Sequence, residues 1–129
     1  MDLSTLEPGQ RLFSRSMSIS ADDAASYRAA VGDETPTDEH TVPPMAVAAM
    51  VMEVAMRAVE LPAGAVHTAQ ELEFTRPVEE GATLACSATV VSNSVRRGTR
   101  FLVLEMLGVD GDETAVRART TIAIGGGPE

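Results

Sequence analysis

The feature that most constrains this chain is the run PMAVAAMVMEVAMRAVE, residues 44–60, which is apolar on nearly every face of a helix. Such a helix must be surrounded by other elements rather than laid on a surface. Pro43 and Pro44 stand at its entrance, where proline's fixed φ is compatible with a first turn and its missing donor costs least. The spacing predicts a helix over Met45 to Glu60. Its one polar stripe is Glu53 and Arg57, four residues apart in the order that favours an ion pair. Those two charges also break the apolar stretch from Val42 to Val59, which is too short for a comfortable membrane span.

The flanking sequence supplies what could surround that helix. After a polar start containing Pro8 and Gly9, alternation from Leu12 and Phe13 through Met17 to Ile19 predicts a first strand. A first helix follows, ADDAASYRAAV, with Ser20 at the N-cap, Asp23 at the N3 position of a capping box and Gly32 as its stop. The segment GDETPTDEHTV from Gly32 to Val42 holds turn formers and charge without periodicity, so it is a loop. Beyond Leu61 to Gly64 the pattern is strands and turns. Val66, Leu72 and Phe74 fall on one parity and His67, Glu71 and Glu73 on the other, with Arg76 and Pro77 ending that strand. Leu84, Cys86, Ala88 and Val90 share a face of the next. Arg96, Arg97 and Gly98 turn into RFLVLEMLGV, which is apolar on both faces and therefore central. Asp110 and Gly111 make a hairpin turn into a last strand carrying Val116, Ala118, Ile122 and Ile124. The order is strand, helix, loop, buried helix, then a four-strand meander, in one domain over 1–129: an α+β fold in which a curved antiparallel sheet wraps one long apolar helix.

Composition narrows the partners. A formal net charge of -9 repels a phosphate backbone, and an aromatic share of 3% without Trp leaves few stacking platforms, so nucleic acid is excluded as a partner. The single cysteine forms no internal disulfide, and Met1 leads into a polar stretch rather than an export signal, so a cytoplasmic location is expected. With two histidines and one cysteine, a dedicated zinc site lacks ligands, and no metal or other cofactor is called for.

Three motifs, YRAAVGDETP at Tyr27 to Pro36, VPPM at Val42 to Met45 and HTAQELEFTRPVEEGATL at His67 to Leu84, stand in an order that resembles the MaoC-like dehydratase and hydratase family. The resemblance implies a hot-dog fold and work on acyl thioesters carried by coenzyme A or an acyl carrier protein. Active members hold a water with the Asp and His of a Gly-Asp-x-Asn-Pro-x-His run. Here Asp33 and Pro36 match, Thr35 replaces the Asn, and the histidine, His40, comes two positions late. The chemistry needs a base and an acid within reach of one water, which makes Asp33 and His40 the candidate catalytic pair. The bland alternative has Asp33 bonding backbone groups past a helix end and His40 in solvent.

A thioester oxygen that gains charge needs a donor, and hot-dog enzymes use the start of the buried helix. Pro43 and Pro44 have no N–H, so Met45 or the next residue is the candidate donor. These departures resemble the family's non-catalytic N-terminal halves and partner subunits, in which one domain shapes the acyl groove and another carries Asp and His. A third reading, from hot-dog thioesterases, makes Glu53 the base or nucleophile; an ordinary pair with Arg57 competes with it. His67 is expected at a structural or subunit contact, and Cys86 in the core. Arg96, Arg97 and Arg100, with Arg76 as a weaker addition, form the one cationic cluster suited to a phosphopantetheine phosphate or an acidic carrier, or else a solvated hairpin end. Open sheet edges and the two apolar faces of RFLVLEMLGV call for a cover, and the resemblance implies a homodimer or a heterodimer with a homologous hot-dog subunit.

Overall fold

The computed structural model describes residues 3–32 and 41–125. A short 3-10 turn, Leu3–Thr5, leads to β1 (Arg11–Ser18), α1 (Ala21–Val31), β2 (Thr41–Val42), α2 (Pro44–Ala58), β3 (Val66–Phe74), β4 (Val78–Glu79), β5 (Thr83–Arg96), β6 (Thr99–Asp110) and β7 (Glu113–Ile124). Five strands form an antiparallel sheet in the order β1-β5-β6-β7-β3, and β2 pairs with β4 in a small second sheet. The expected central strand is β6. The expected four-strand meander is shortened to β5-β6-β7, because β3 crosses to the far side of β7 and becomes an edge.

The capping box of α1 is present: Ser20 Oγ accepts from the Asp23 N–H at 3.1 Å, and Asp23 accepts from the Ser20 N–H at 3.0 Å. Those hydrogen bonds, the backbone one first, hold the Asp23 carboxyl below its usual range. Gly32 closes the helix in the left-handed region at φ 70°. From the last turn of α1, Arg28 donates to the Thr41 carbonyl at 2.6 Å and lies 3.5 Å from Glu80. One side chain thereby ties α1 to the start of β2 and to the residue just after β4.

The apolar helix spans Pro44–Ala58, ending two residues before the Glu60 expected, where Val59 turns extended. Its buried face, Ala46, Val47, Ala48, Val51 and Ala55, packs on the concave side of the sheet with Leu84, Cys86, Ala88, Leu104, Met106, Val116, Ala118 and Ile122. Burial of each large aliphatic side chain contributes about 1.5–3 kcal/mol. The helix is embraced rather than surrounded. Ala49, Glu53 and Arg57 remain exposed and Met45 is half-exposed, since one curved sheet covers one side of a cylinder.

A bulge in β3 between His67 and Ala69 corrects the expected parity. His67 stands opposite buried Ile122, on the concave side with Leu72 and Phe74, while Val66 stands opposite Ala123 on the convex side. One inserted residue exchanges the faces of everything before it.

Candidate active site at the start of the buried helix

The first turn of α2 presents an unusual set of backbone groups. Pro43 and Pro44 have no N–H, and the N–H groups of Ala46 and Val47 both reach the Pro43 carbonyl, at 2.9 and 3.2 Å. Met45 is thus the first donor of the helix, and among the described residues its N–H meets no backbone acceptor. It sits at the positive end of the helix dipole on a residue 50% exposed, which suits an oxygen that gains negative charge.

Beside that turn lies a small cleft lined by Val42, Pro44, Val47, Phe74, Arg76, Pro77, Val78 and Ala115. Its enclosed space is about 20 Å³, room for one water molecule. The β2-β4 pair builds one wall, with Val42 opposite Val78, and the end of β3 builds the other through Phe74. Arg76 is the cation of this cleft. Its Nη1 donates to Glu113 Oε2 at 2.7 Å, and both side chains remain open to solvent.

Asp33 and His40 lie outside the described residues. The segment that carries them leaves α1 at Gly32 and rejoins the described chain at Thr41, next to the cleft-lining Val42. Of Asp33, His40 and Met45, the structure describes Met45, which follows the cleft-lining Pro44 in sequence.

The arginine cluster divides. Arg96 and Arg97 lie at the β5-β6 turn beside an open groove on the convex face, with Ser92, Ser94, Thr99, Phe101 and Val103. Arg100 faces the other way and donates to Asn93 Oδ1 at 2.8 Å; the Asn93 amide in turn holds the carbonyls of Leu3 and Leu6 at 2.8 and 3.0 Å. Arg100 thus fastens the N-terminal segment. The turn of Arg96 and Arg97 is at the end of β6 near Glu60 and Leu61, and the start of α2 is at the other, roughly 30 Å of strand away at about 3.3 Å per residue. Clustering in an acidic sequence makes Arg96, Arg97 and Arg100 the first candidates and Arg76 the weaker one; it is Arg76, just past the end of β3, that lines the cleft.

Glu53 and Arg57 form the expected pair one turn apart, with side chains 59% and 73% exposed. A carboxylate in that position has neither the burial nor the enclosure of an acyl-hydrolysis site. Exposed His67 sits on the edge strand β3. Cys86 is buried, and burial pushes its thiol up to about 11. Among the described residues no group of three His, Cys, Asp or Glu converges as a metal site, and no helix is long and apolar enough to cross a membrane.

Comparison with curated protein sequences returns no match. Solved structures do match. A MaoC-like dehydratase from Rhodospirillum rubrum superposes with a TM-score of 0.80 at 16% identity, covering 100% of this chain and 99% of that one. The R-hydratase PhaJ1 from Pseudomonas aeruginosa gives 0.71 at 22% identity, covering 98% and 92%. The HadBC (3R-hydroxyacyl-ACP dehydratase) complex from Mycobacterium tuberculosis gives 0.66 at 20%, covering 91% and 96%. These likenesses establish the hot-dog fold. The family model described as FAS1-like, dehydratase domain region, matches residues 8–119, and this chain belongs to that family.

Proposed function

We propose that the chain is a subunit of an (R)-3-hydroxyacyl-thioester dehydratase, equally a 2-enoyl-thioester hydratase, acting on acyl groups carried by coenzyme A or an acyl carrier protein in the cytoplasm. The observation that carries this reading is the uncommitted Met45 N–H at the start of α2, beside a water-sized cleft at which the Asp33–His40 segment rejoins the chain. In hydration, water oxygen adds to C3 of the enoyl thioester, its proton passes to the base, and the acid delivers a proton to C2. Negative charge gathers on the thioester oxygen in between, opposite the Met45 N–H. Asp33 and His40 exchange those protons. Arg96 and Arg97 serve as a docking patch for an acidic carrier protein.

Among the described residues a cleft of this size holds a water and not an acyl chain, and we assign the rest of the groove to a second subunit. Strand β3 is an open edge, exposed along its length except at half-buried Leu72, and its unpaired backbone groups are suited to antiparallel pairing with a homologous hot-dog strand. The described structural relatives include a dehydratase complex of two subunits. The proline pair at the head of α2 favours a second reading, in which this chain shapes the groove and its partner carries the working Asp and His. The test follows loss of the conjugated double bond of crotonyl-CoA and longer enoyl-CoA substrates, with the chain alone and with a hot-dog partner recovered by pull-down. Turnover by the chain as a homodimer, abolished in Asp33→Asn, establishes a complete enzyme. Turnover that needs the partner and survives Asp33→Asn assigns this chain the binding role, and no hydration in either form removes the proposal.

A further inference from the structure

Resting on the β3 edge pairing above, we propose that this edge takes a strand of a different hot-dog subunit, one presenting Arg or Lys opposite Glu71 and Glu73, rather than a second copy of this chain. The first observation is a row of charges across the convex face of the sheet. Glu105 on β6, Arg119 on β7 and Glu71 on β3 stand opposite one another in register, and Arg119 Nη2 lies 3.6 Å from Glu105 Oε2. The next row places Arg117 on β7 opposite Glu73 on β3. Sign alternates from strand to strand toward the edge, so a strand added beyond β3 continues both rows with a cation.

Glu71 and Glu73 are exposed, and among the described residues neither makes an ion pair or a hydrogen bond. Both carboxylates are therefore open to an incoming strand. A second copy brings the wrong sign to them. When two β3 strands pair antiparallel with their concave faces on one side, a two-fold axis at Leu72 sets Glu71 of one copy against Glu73 of the other. An axis at Glu71 or Glu73 sets that residue against itself, and an axis at Gln70 or Phe74 leaves the carboxylates one diagonal step apart. Like charges so placed destabilise a strand pair. Each copy also adds a net charge of -9 to the repulsion. The other edge, β1, has no Asp or Glu and carries Ser14, Ser16 and Ser18 on its convex side, so the acidic pair is particular to β3.

The test needs no substrate, which separates it from the thioester reading. Sedimentation equilibrium compares the wild-type chain with Glu71→Gln/Glu73→Gln. The neutralised variant is expected to self-associate at least about fivefold more tightly at low salt, with amide exchange protection gained along β3 and not β1. The difference is expected to vanish at about 0.5 M salt. A second arm measures binding of synthetic peptides spanning residues 66–74 to the wild-type chain. The peptide carrying Glu71→Arg and Glu73→Arg is expected to bind at least about fivefold more tightly than the native-sequence peptide, a gap that closes in the same salt. Self-association unchanged by neutralisation, or equal or absent binding of the two peptides, overturns charge selection. The thioester reading then stands or falls separately, on hydration of crotonyl-CoA. Protection gained along β1 instead of β3 overturns the edge pairing as well.

Discussion

Gly108 on β6 lies directly beneath Val51 of α2: a Cβ placed on Gly108 would stand 3.1 Å from Val51 Cγ2 and 2.9 Å from Val116 Cγ1. The absence of a side chain at this one position lets the helix approach the sheet. Gly108→Ala is expected to destabilise the fold by about 1–3 kcal/mol through overpacking, read as a lower urea midpoint with an unchanged slope. Val51→Ala in the same chain should recover part of that loss, since the two sites share the space.

Thr120 is fully buried on the concave face, between Ala118 and Ile122, and its Oγ1 has no hydrogen-bond partner. Thr120→Val replaces a desolvated hydroxyl with a methyl group of similar shape. Stability should rise by about 1 kcal/mol, seen as a higher melting temperature. An unchanged or lower melting temperature would place a water at that hydroxyl.

The β5-β6 turn puts Arg97 at φ 51° and Gly98 at φ 79°, the both-positive pattern of a type I′ hairpin. Asparagine tolerates this conformation better than arginine. Arg97→Asn should therefore stabilise the chain by about 0.5 kcal/mol in equilibrium unfolding, with secondary structure unchanged by circular dichroism.

Cys86 gives a pH dependence with a definite sign. Its thiol is pushed up to about 11 in the fold from an ordinary value of 9.0. The contribution to stability is complete below pH 9.0 and is lost as pH rises toward 11, because only the unfolded chain ionises in that window. Iodoacetamide at pH 8 should leave the folded chain unmodified and label it fully in urea, as mass spectrometry would record.

Met45→Pro removes the N–H at the head of α2 at a position near the helix start that tolerates proline. The fold should persist by circular dichroism while hydration of crotonyl-CoA by the assembly falls by about 10²-fold, the usual effect of losing an oxyanion donor. An unaffected rate would move the donor to another residue or another subunit.

Much of the architecture was legible from local signals. Ser20, Asp23 and Gly32 bracketed α1 to the residue, because capping is decided by neighbours in sequence. The run from Pro44 announced a buried helix, and RFLVLEMLGV a central strand, because a segment apolar on both faces has to be covered on both. The site was less legible. The chemical types of Asp33, His40 and Met45 are visible in sequence, yet which cation lines the cleft at the head of α2 depends on how strand ends meet.

The sequence by itself determined the two helices, the caps of α1, the strand count of the main sheet and the family to which the chain belongs. Each follows from patterns a few residues long, or from motifs kept in order. Only the tertiary structure decided that β3 is an edge, that a bulge turns His67 to the concave face, that α2 is covered on one side, and that Arg76 rather than Arg97 reaches the head of the helix. Those outcomes depend on pairing between residues far apart in the chain, where loop closure and side-chain packing, not local propensity, set the free energy.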